Sequence, residues 1–115
     1  MSSNNSLSIV IPTFNEDALL RTVESYLLAF TDSTLQFEII VVDDGSAPQF
    51  TSNFEYLSTL PKVRLISRSQ NKGYGFSIQE GVSCASFDDI LITDSDLTYD
   101  SKCALKVASH YFASD

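Results

Sequence analysis

The chain has 115 residues, and its seven basic and fifteen acidic side chains give a formal net charge of −8 at pH 7. Hydrophobic residues make up 43% of the sequence, which is typical of one globular domain and excludes a disordered chain. The acidic balance argues against partners such as nucleic acid or an anionic membrane surface.

Residues 1–6 are polar and uncharged, so they predict a disordered tail and not a signal peptide. Residues 7–115 are expected to form one domain. No apolar stretch approaches the roughly 20 residues needed to cross a bilayer. We therefore expect no transmembrane segment and a cytoplasmic chain.

Short apolar runs alternate with segments of helical periodicity along the domain. The predicted elements, in order, are strand 7–11, helix 19–30, strand 37–42, helix 49–60, strand 63–67, helix 76–87, strand 90–93 and helix 100–112. Strands that are apolar on both faces and alternate with helices indicate an α/β fold. The prediction is a Rossmann-like, mostly parallel sheet with helices on both faces.

Three local details follow from the same pattern. Asn15 or Thr13 is expected to cap the first helix. The third helix is expected to turn Ile78, Val82 and Ala85 inward. The two cysteines, Cys84 and Cys103, have no zinc-ligand spacing and are expected to be buried free thiols.

Polar segments follow the first, second and fourth strands, at residues 12–16, 43–46 and 94–96. The carboxyl ends of parallel strands lie at one edge of a sheet, which is where ligands of such folds bind. The sequence therefore predicts one binding site lined by all three segments.

Asp94 and Asp96 are separated by one residue after the fourth apolar run. If that segment stayed extended, both carboxylates would project from one face and would favour a divalent cation between them. A solvated turn is the alternative. The lone histidine, His110, lies on the last helix and is expected to have no catalytic role.

The other motifs also allow two interpretations. Asp43 and Asp44 are typical of a turn, or one of them accepts an N–H from a nucleobase. Lys72, in a glycine-containing loop before a helix, either contacts a phosphate or is merely solvated. Phe14 beside Glu16 suits a base and ribose pocket, or Phe14 packs in the core.

Taken in order, residues 9–16 (IVIPTFNE), 41–46 (VVDDGS), 71–75 (NKGYG) and 94–97 (DSDL) resemble the family 2 glycosyltransferases, enzymes of the GT-A fold. Within that family the pattern is similar to the polyprenyl-phosphate group, which includes the dolichyl-phosphate mannose synthases. The resemblance spans 7–100 and implies that the chain is the nucleotide-sugar-binding half of such a domain.

The resemblance implies an inverting, metal-dependent transfer from a UDP- or GDP-linked sugar donor. It implies that Pro12, Phe14 and Glu16 line the base and ribose pocket and that Asp44 accepts from the base. It also implies that Asp94 and Asp96 hold Mn²⁺ or Mg²⁺ against the donor diphosphate. The acceptor would be a polyprenyl phosphate, which would bring the chain to the cytoplasmic face of a membrane.

Two departures from the family pattern matter. Thr98 stands where polyprenyl-phosphate enzymes often carry glutamine. Family members also continue well beyond the equivalent of Asp115, so the catalytic base is expected beyond that residue and the chain is not expected to transfer sugar alone. We expect it to pair with a missing C-terminal half or to self-associate.

Two other classes of protein share part of this pattern. A truncated paralogue would bind the nucleotide sugar and metal without turnover. A signalling receiver would carry its acidic pair after the first strand, where this chain has Pro12.

Overall fold

A computed structural model describes residues 5–113. Its elements are β1 (Ser6–Thr13), α1 (Leu19–Thr31), β2 (Gln36–Asp44), a 3-10 turn (Pro48–Phe50), α2 (Thr51–Leu57), β3 (Val63–Arg68), α3 (Tyr74–Cys84), β4 (Ile90–Ile92) and α4 (Ser101–Ala113). The four strands form one parallel sheet in the order β3-β2-β1-β4. The predicted α/β fold with a parallel sheet is confirmed.

The predicted tail and the first strand overlap by one residue. Ser6 belongs to β1 and pairs with Gln36, while residues 1–4 lie outside the described part of the chain. β1 therefore begins one residue before the predicted start at Leu7.

The sheet buries both of its faces. On one face, alternate residues of β1 and β2 pack against α1, α2 and α4; they include Leu7, Ile9, Ile11, Phe37, Ile39 and Val41. On the other face, Val10, Ile40 and Val42 form a second cluster beneath α3. Of the helices within residues 5–113, only α3 packs on this second face, because the chain passes from β3 at one edge to β4 at the other. The strand order consequently reverses between β1 and β4.

Small residues bring α3 close to the sheet. Gly81 is buried, and a Cβ atom at this position would lie 2.5 Å from Cγ1 of Val10. Ser77, one turn earlier, is fully buried. The predicted inward face was wrong for Val82, which is 41% exposed, because contact with the sheet selects the smallest side chains on α3 and not the largest apolar ones.

The structure corrects two further predictions. Neither Asn15 nor Thr13 caps α1, since Thr13 belongs to β1 and the N-cap of α1 is Ala18. Cys84 and Cys103 are free thiols but exposed, because Cys84 is the last residue of α3 and Cys103 borders a surface cavity beside Tyr99 and Val107. Between residues 5 and 113, no helix combines the length and the apolar character needed to cross a membrane.

Candidate functional site

A cavity of about 420 Å³ opens at the carboxyl edge of the sheet, beside the reversal between β1 and β4. It is lined by Pro12, Thr13, Phe14, Glu16, Asp44, Asn71, Gly73, Tyr74, Ser77, Asp94, Ser95 and Asp96. Six of the seven residues predicted for the site therefore share one cavity. The seventh, Lys72, is not among the lining residues.

The loop after β1 is tied to the loop after β2. The backbone N–H of Asn15 donates to Ser46 Oγ at 3.0 Å, and Asn15 Oδ1 accepts from the N–H of Ala47 at 2.8 Å. Asn15 adopts a φ of 50°, which turns the chain sharply at this point. Asp43 accepts from the N–H of Ser46 at 2.8 Å and so shapes the second loop from within. The side chain predicted to cap α1 instead joins two walls of the cavity.

Phe14 and Glu16 face the cavity from the loop between β1 and α1. Phe14 is 48% exposed, so its ring does not belong to the core. Glu16 Oε2 accepts from the N–H of Ala18 at 3.0 Å, which leaves its other oxygen without a hydrogen bond from the described residues. An exposed aromatic ring beside a carboxylate can stack on a planar base and accept from a hydroxyl.

Asp44 ends β2 and is 4% exposed. Its Oδ1 accepts from Arg68 Nη2 at 2.5 Å and from the N–H of Lys72 at 2.8 Å, and its Oδ2 accepts from the N–H of Gly73 at 2.8 Å. Burial raises the pKa of this carboxyl, but the hydrogen bonds from Lys72, Arg68 and Gly73 outweigh burial and leave the pKa below its ordinary value. Asp44 is therefore an ionised acceptor at neutral pH.

The segment at residues 71–75, called the 71–75 loop below, runs into the first turn of α3 at Tyr74 and approaches the loop after β2 very closely. Gly45 has a φ of +82°. There is no room for a Cβ atom at this position, because it would lie 2.9 Å from the backbone N of Asn71. Gly73 has a φ of +100° and is the N-cap of α3. Both positions need the left-handed conformations that glycine tolerates.

The side chain of Lys72 lies over an aromatic ring and does not line the cavity. Its Nζ lies 5.0 Å from the ring centroid of Phe76, and the guanidinium of Arg68 lies 4.8 Å from the same centroid. The contribution of Lys72 to the site is its backbone N–H on Asp44.

Asp94 and Asp96 lie on a bend and not on an extended strand, since β4 ends at Ile92 and Leu97 has a φ of 64°. The extended geometry assumed from the sequence was wrong, yet the bend still brings both carboxylates to the cavity. Asp94 Oδ1 accepts from the Tyr74 hydroxyl at 3.2 Å. Burial, followed by the charge of Asp94, raises the pKa of that hydroxyl.

Asp96 Oδ1 accepts from the N–H of Thr98 at 3.0 Å and from the Thr98 hydroxyl. These two hydrogen bonds lower the pKa of Asp96, the hydroxyl contributing more. The neighbouring backbone is held from α1, because Thr22 Oγ1 donates to the carbonyl of Ser95 at 2.8 Å. The acidic loop is thus fixed to the protein interior through Ser95, while Asp96 remains exposed.

The acidic loop fits a cation that a ligand helps to coordinate. Within residues 5–113, no group of three or more His, Cys, Asp or Glu side chains could hold a metal ion on its own. Mg²⁺ is commonly bound by one or two carboxylates together with substrate phosphates and water. Two carboxylates on one wall of an open cavity satisfy that requirement.

Sequence reasoning missed three residues around the cavity: Arg68, Tyr74 and Ser77. Arg68 is the last residue of β3 and stands opposite Asp44 in the register of β2 and β3. The predicted pairing of these two strands could have identified Arg68, because the last residues of two adjacent parallel strands lie side by side when the strands end at the same level of the sheet. Tyr74 and Ser77 carry no comparable signal.

The family model described as "Glycosyl transferase family 2" matches residues 8–114. Among curated proteins, human dolichyl-phosphate beta-glucosyltransferase is 33% identical over 104 residues, covering 83% of this chain and 32% of that protein. Dolichol-phosphate mannosyltransferase of Pyrococcus furiosus is 33% identical over 96 residues, covering 81% of this chain and 26% of that protein. The chain spans between about a quarter and a third of the length of these relatives.

Solved structures of similar fold include TarS 1–349 of S. aureus in complex with UDP. Its TM-score is 0.75 at 23% identity, covering 94% of this chain and 32% of that one. The mannosyltransferase PcManGT from Pyrobaculum calidifontis, in complex with GDP-Man and Mn²⁺, has a TM-score of 0.74 at 19% identity, covering 95% of this chain and 32% of that one. The fold is that of these proteins.

Proposed function

The chain belongs to glycosyl transferase family 2, and we propose that it forms the nucleotide-sugar-binding half of such an enzyme. One observation carries the proposal: the carboxyl ends of β1 and β2, the segments after β1 and β4, and the N-terminus of α3 line a single cavity at the point where the strand order reverses. Parallel α/β sheets bind nucleotides at this point.

The two ends of the cavity suit the two ends of a nucleoside diphosphate. Pro12, Phe14 and Glu16 form the wall for the base and ribose. Asp44 has three hydrogen bonds, and because a carboxylate offers about four acceptor positions, one remains for an N–H of the base. The imino N–H of uracil or guanine fits this acceptor, so the proposed donor is UDP- or GDP-linked.

At the other end, Asp94 and Asp96 would hold Mn²⁺ or Mg²⁺ beside the diphosphate. A divalent cation supplies charge neutralisation as the nucleoside diphosphate departs. The Tyr74 hydroxyl orients Asp94, and Thr98 orients Asp96. Thr98 thereby supports a proposed metal ligand by hydrogen bonding, at the position where related enzymes often carry glutamine.

The acceptor half of the reaction is proposed from the relatives. Two of them are named for dolichyl phosphate, so a polyprenyl phosphate is the proposed acceptor and the cytoplasmic face of a membrane the proposed location. We assign no catalytic base to the described residues and place it in the remainder of a complete enzyme. The 115-residue chain alone would then bind the donor without efficient transfer.

A surface for that remainder lies beside β4. Ile92 on this edge strand and Tyr99, Val107 and Tyr111 around α4 are large, exposed and apolar or aromatic. Exposed clusters of this kind mark interaction surfaces. We propose that this surface packs against the acceptor half of a complete domain, and that in its absence the chain self-associates there.

Calorimetric titration with UDP and GDP, each with Mn²⁺ and with EDTA, tests the donor site. The variant Asp94→Asn/Asp96→Asn should lose the Mn²⁺-dependent binding. The matched control is Asp88→Asn/Asp89→Asn, which removes two charges at the opposite end of β4 and should bind as the unmodified chain does. The proposed cation site would be contradicted if the nucleotides bind equally well with Mn²⁺ and with EDTA, or if both variants lose the same amount of affinity.

Radiolabelled sugar transfer to a polyprenyl phosphate separates the half-enzyme from the alternatives. Donor binding without transfer by the isolated chain supports either a half-enzyme or a non-catalytic paralogue. Adding the acceptor half of a homologous enzyme should restore transfer only in the first case. Efficient transfer by the isolated chain would contradict the placement of the base outside it.

A further inference from the structure

We propose that Arg68 is a positioning residue, which fixes the Asp44 carboxylate and the 71–75 loop in the arrangement that the base end of the cavity requires. The inference deepens the proposed function and rests on it for its ligand. Arg68 does not line the cavity and so acts through the residues that do.

Arg68 joins three segments with one guanidinium group. At the end of β3 it stands in register with Asp44, the last residue of β2. Its Nη2 donates to Asp44 Oδ1 at 2.5 Å and to Ser77 Oγ at 2.7 Å, and its Nη1 pairs with Glu80. Asp44 and Ser77 line the cavity, while Glu80 lies one turn further along α3. A planar group with a fixed fork of donors sets the spacing of all three partners.

The position of the 71–75 loop follows from the orientation of Asp44. The N–H groups of Lys72 and Gly73 reach different oxygens of this carboxylate, both at 2.8 Å, so rotating the carboxylate would break one or both hydrogen bonds. The next residue, Tyr74, carries the hydroxyl that contacts Asp94 at 3.2 Å. Arg68 therefore organises one wall of the cavity without touching a ligand.

The arrangement is costly as a purely structural device. Among the described groups, Arg68 Nε is buried and has no hydrogen-bond partner. A buried donor left unpaired is destabilising, and such groups are rare in folded proteins. Arg68 leaves this donor unpaired while its other donors bind two acids and a serine. We infer that this arrangement serves to position those three partners and does not maximise the stability of the fold.

A second arginine–glutamate pair provides the matched control. Arg64, four residues earlier on β3, lies 3.0 Å from Glu38 of β2. Arg64 also donates to the carbonyl of Cys84 and to Ser86 Oγ, beyond the far end of α3. It links the same two strands to the same helix, yet neither Arg64 nor Glu38 lines the cavity.

The experiment compares Arg68→Met and Arg68→Lys with Arg64→Met in the 115-residue chain. Hydrogen exchange measures the amides of Lys72 and Gly73 without any ligand. Calorimetry measures the affinity for UDP or GDP with Mn²⁺, and for inorganic pyrophosphate with Mn²⁺ as a probe that lacks the base. Thermal unfolding confirms that each variant is folded.

In Arg68→Met we expect exchange at Lys72 and Gly73 to be about tenfold faster and nucleoside diphosphate affinity to fall about tenfold, as for the loss of a hydrogen bond to a charged group. Arg68→Lys keeps the charge but loses the fork, so an intermediate effect is expected. Pyrophosphate binding should not change, and Arg64→Met should alter none of these quantities beyond overall stability.

Unchanged exchange at Lys72 and Gly73 in both Arg68 variants would overturn the inference, as would equal effects of Arg64→Met. If the unmodified chain binds no nucleoside diphosphate, the proposed function fails, while the exchange measurement still decides whether Arg68 holds the loop.

Discussion

The contact between Gly81 and the sheet makes a prediction in which two opposing effects can be compared. Replacing a glycine inside a helix with alanine stabilises the helix by about 1 kcal/mol. At Gly81, however, the new Cβ would lie 2.5 Å from Cγ1 and 3.4 Å from Cγ2 of Val10, and 3.2 Å from Cγ2 of Val42. Overpacking a tight core costs about 1–3 kcal/mol. The cost exceeds the gain, so Gly81→Ala should be less stable than the unmodified chain by about 1 kcal/mol.

The control is Gly75→Ala on the same helix, where an added Cβ meets no atom within 4 Å. That variant should be unchanged or slightly stabilised, since it gains helix propensity without a contact. Thermal unfolding followed by circular dichroism should show a melting temperature about 4 °C lower for Gly81→Ala. A Gly81→Ala chain as stable as Gly75→Ala would show that α3 does not lie as close to β1 and β2 as described.

Two further predictions concern buried polar contacts. Burial raises the pKa of Glu38, but hydrogen bonds from Ser8, Ser86 and Arg64 outweigh burial and leave it below its ordinary value. A carboxyl whose pKa is lowered in the folded chain contributes stability above its ordinary pKa of 4.5, and this stability is lost as the pH falls through the lower pKa of the folded chain. Melting temperatures should therefore fall as the pH drops below the ordinary pKa, and less steeply in Glu38→Gln. An equally steep decline in that variant would contradict the assignment. Thr22→Val should leave the Ser95 carbonyl unpaired, at a cost of about 1–2 kcal/mol of stability, and should weaken Mn²⁺-dependent binding of UDP or GDP. The control variant Ser25→Ala, on the same helix, should not affect binding. Equal calorimetric affinities for the two variants would contradict the proposal that Thr22 supports the acidic loop.

The order of the elements was predictable because hydrophobic runs mark strands that are buried on both faces. The face of α3 was not, because close packing was achieved by Gly81 and Ser77, which contribute little to an apolar periodicity. Val82 looked like a core residue from the sequence and is exposed. Periodicity identifies the largest apolar side chains, and it fails where a helix approaches a sheet through its smallest ones.

The candidate site, like the fold, was predictable from the sequence only in part. The convergence of Asp44 and Asp94 on one cavity was expected from strand topology alone, since both lie at the carboxyl ends of parallel strands. The partners of those acids were not expected, because Arg68 ends β3 and Tyr74 begins α3, and both meet the acids only in three dimensions. Asn15 was misassigned for the same reason: a residue typical of a helix cap found its partner thirty-two positions away, at Ala47.

The unpaired charge of the two acids at the edge of the cavity predicts how the proposed cation affects binding of the proposed diphosphate. Asp44 is compensated by Arg68, whereas Asp94 and Asp96 have hydrogen bonds from hydroxyl and amide groups but no salt bridge among the described residues. A diphosphate approaching these two carboxylates brings like charge to like charge, which is unfavourable at short distances. A divalent cation reverses the sign of that interaction. Nucleoside diphosphate binding should therefore be weak in EDTA and strengthen steeply with Mn²⁺. Asp94→Asn/Asp96→Asn should remove most of the dependence on Mn²⁺, while binding in EDTA should stay the same or become stronger because the repulsion is gone.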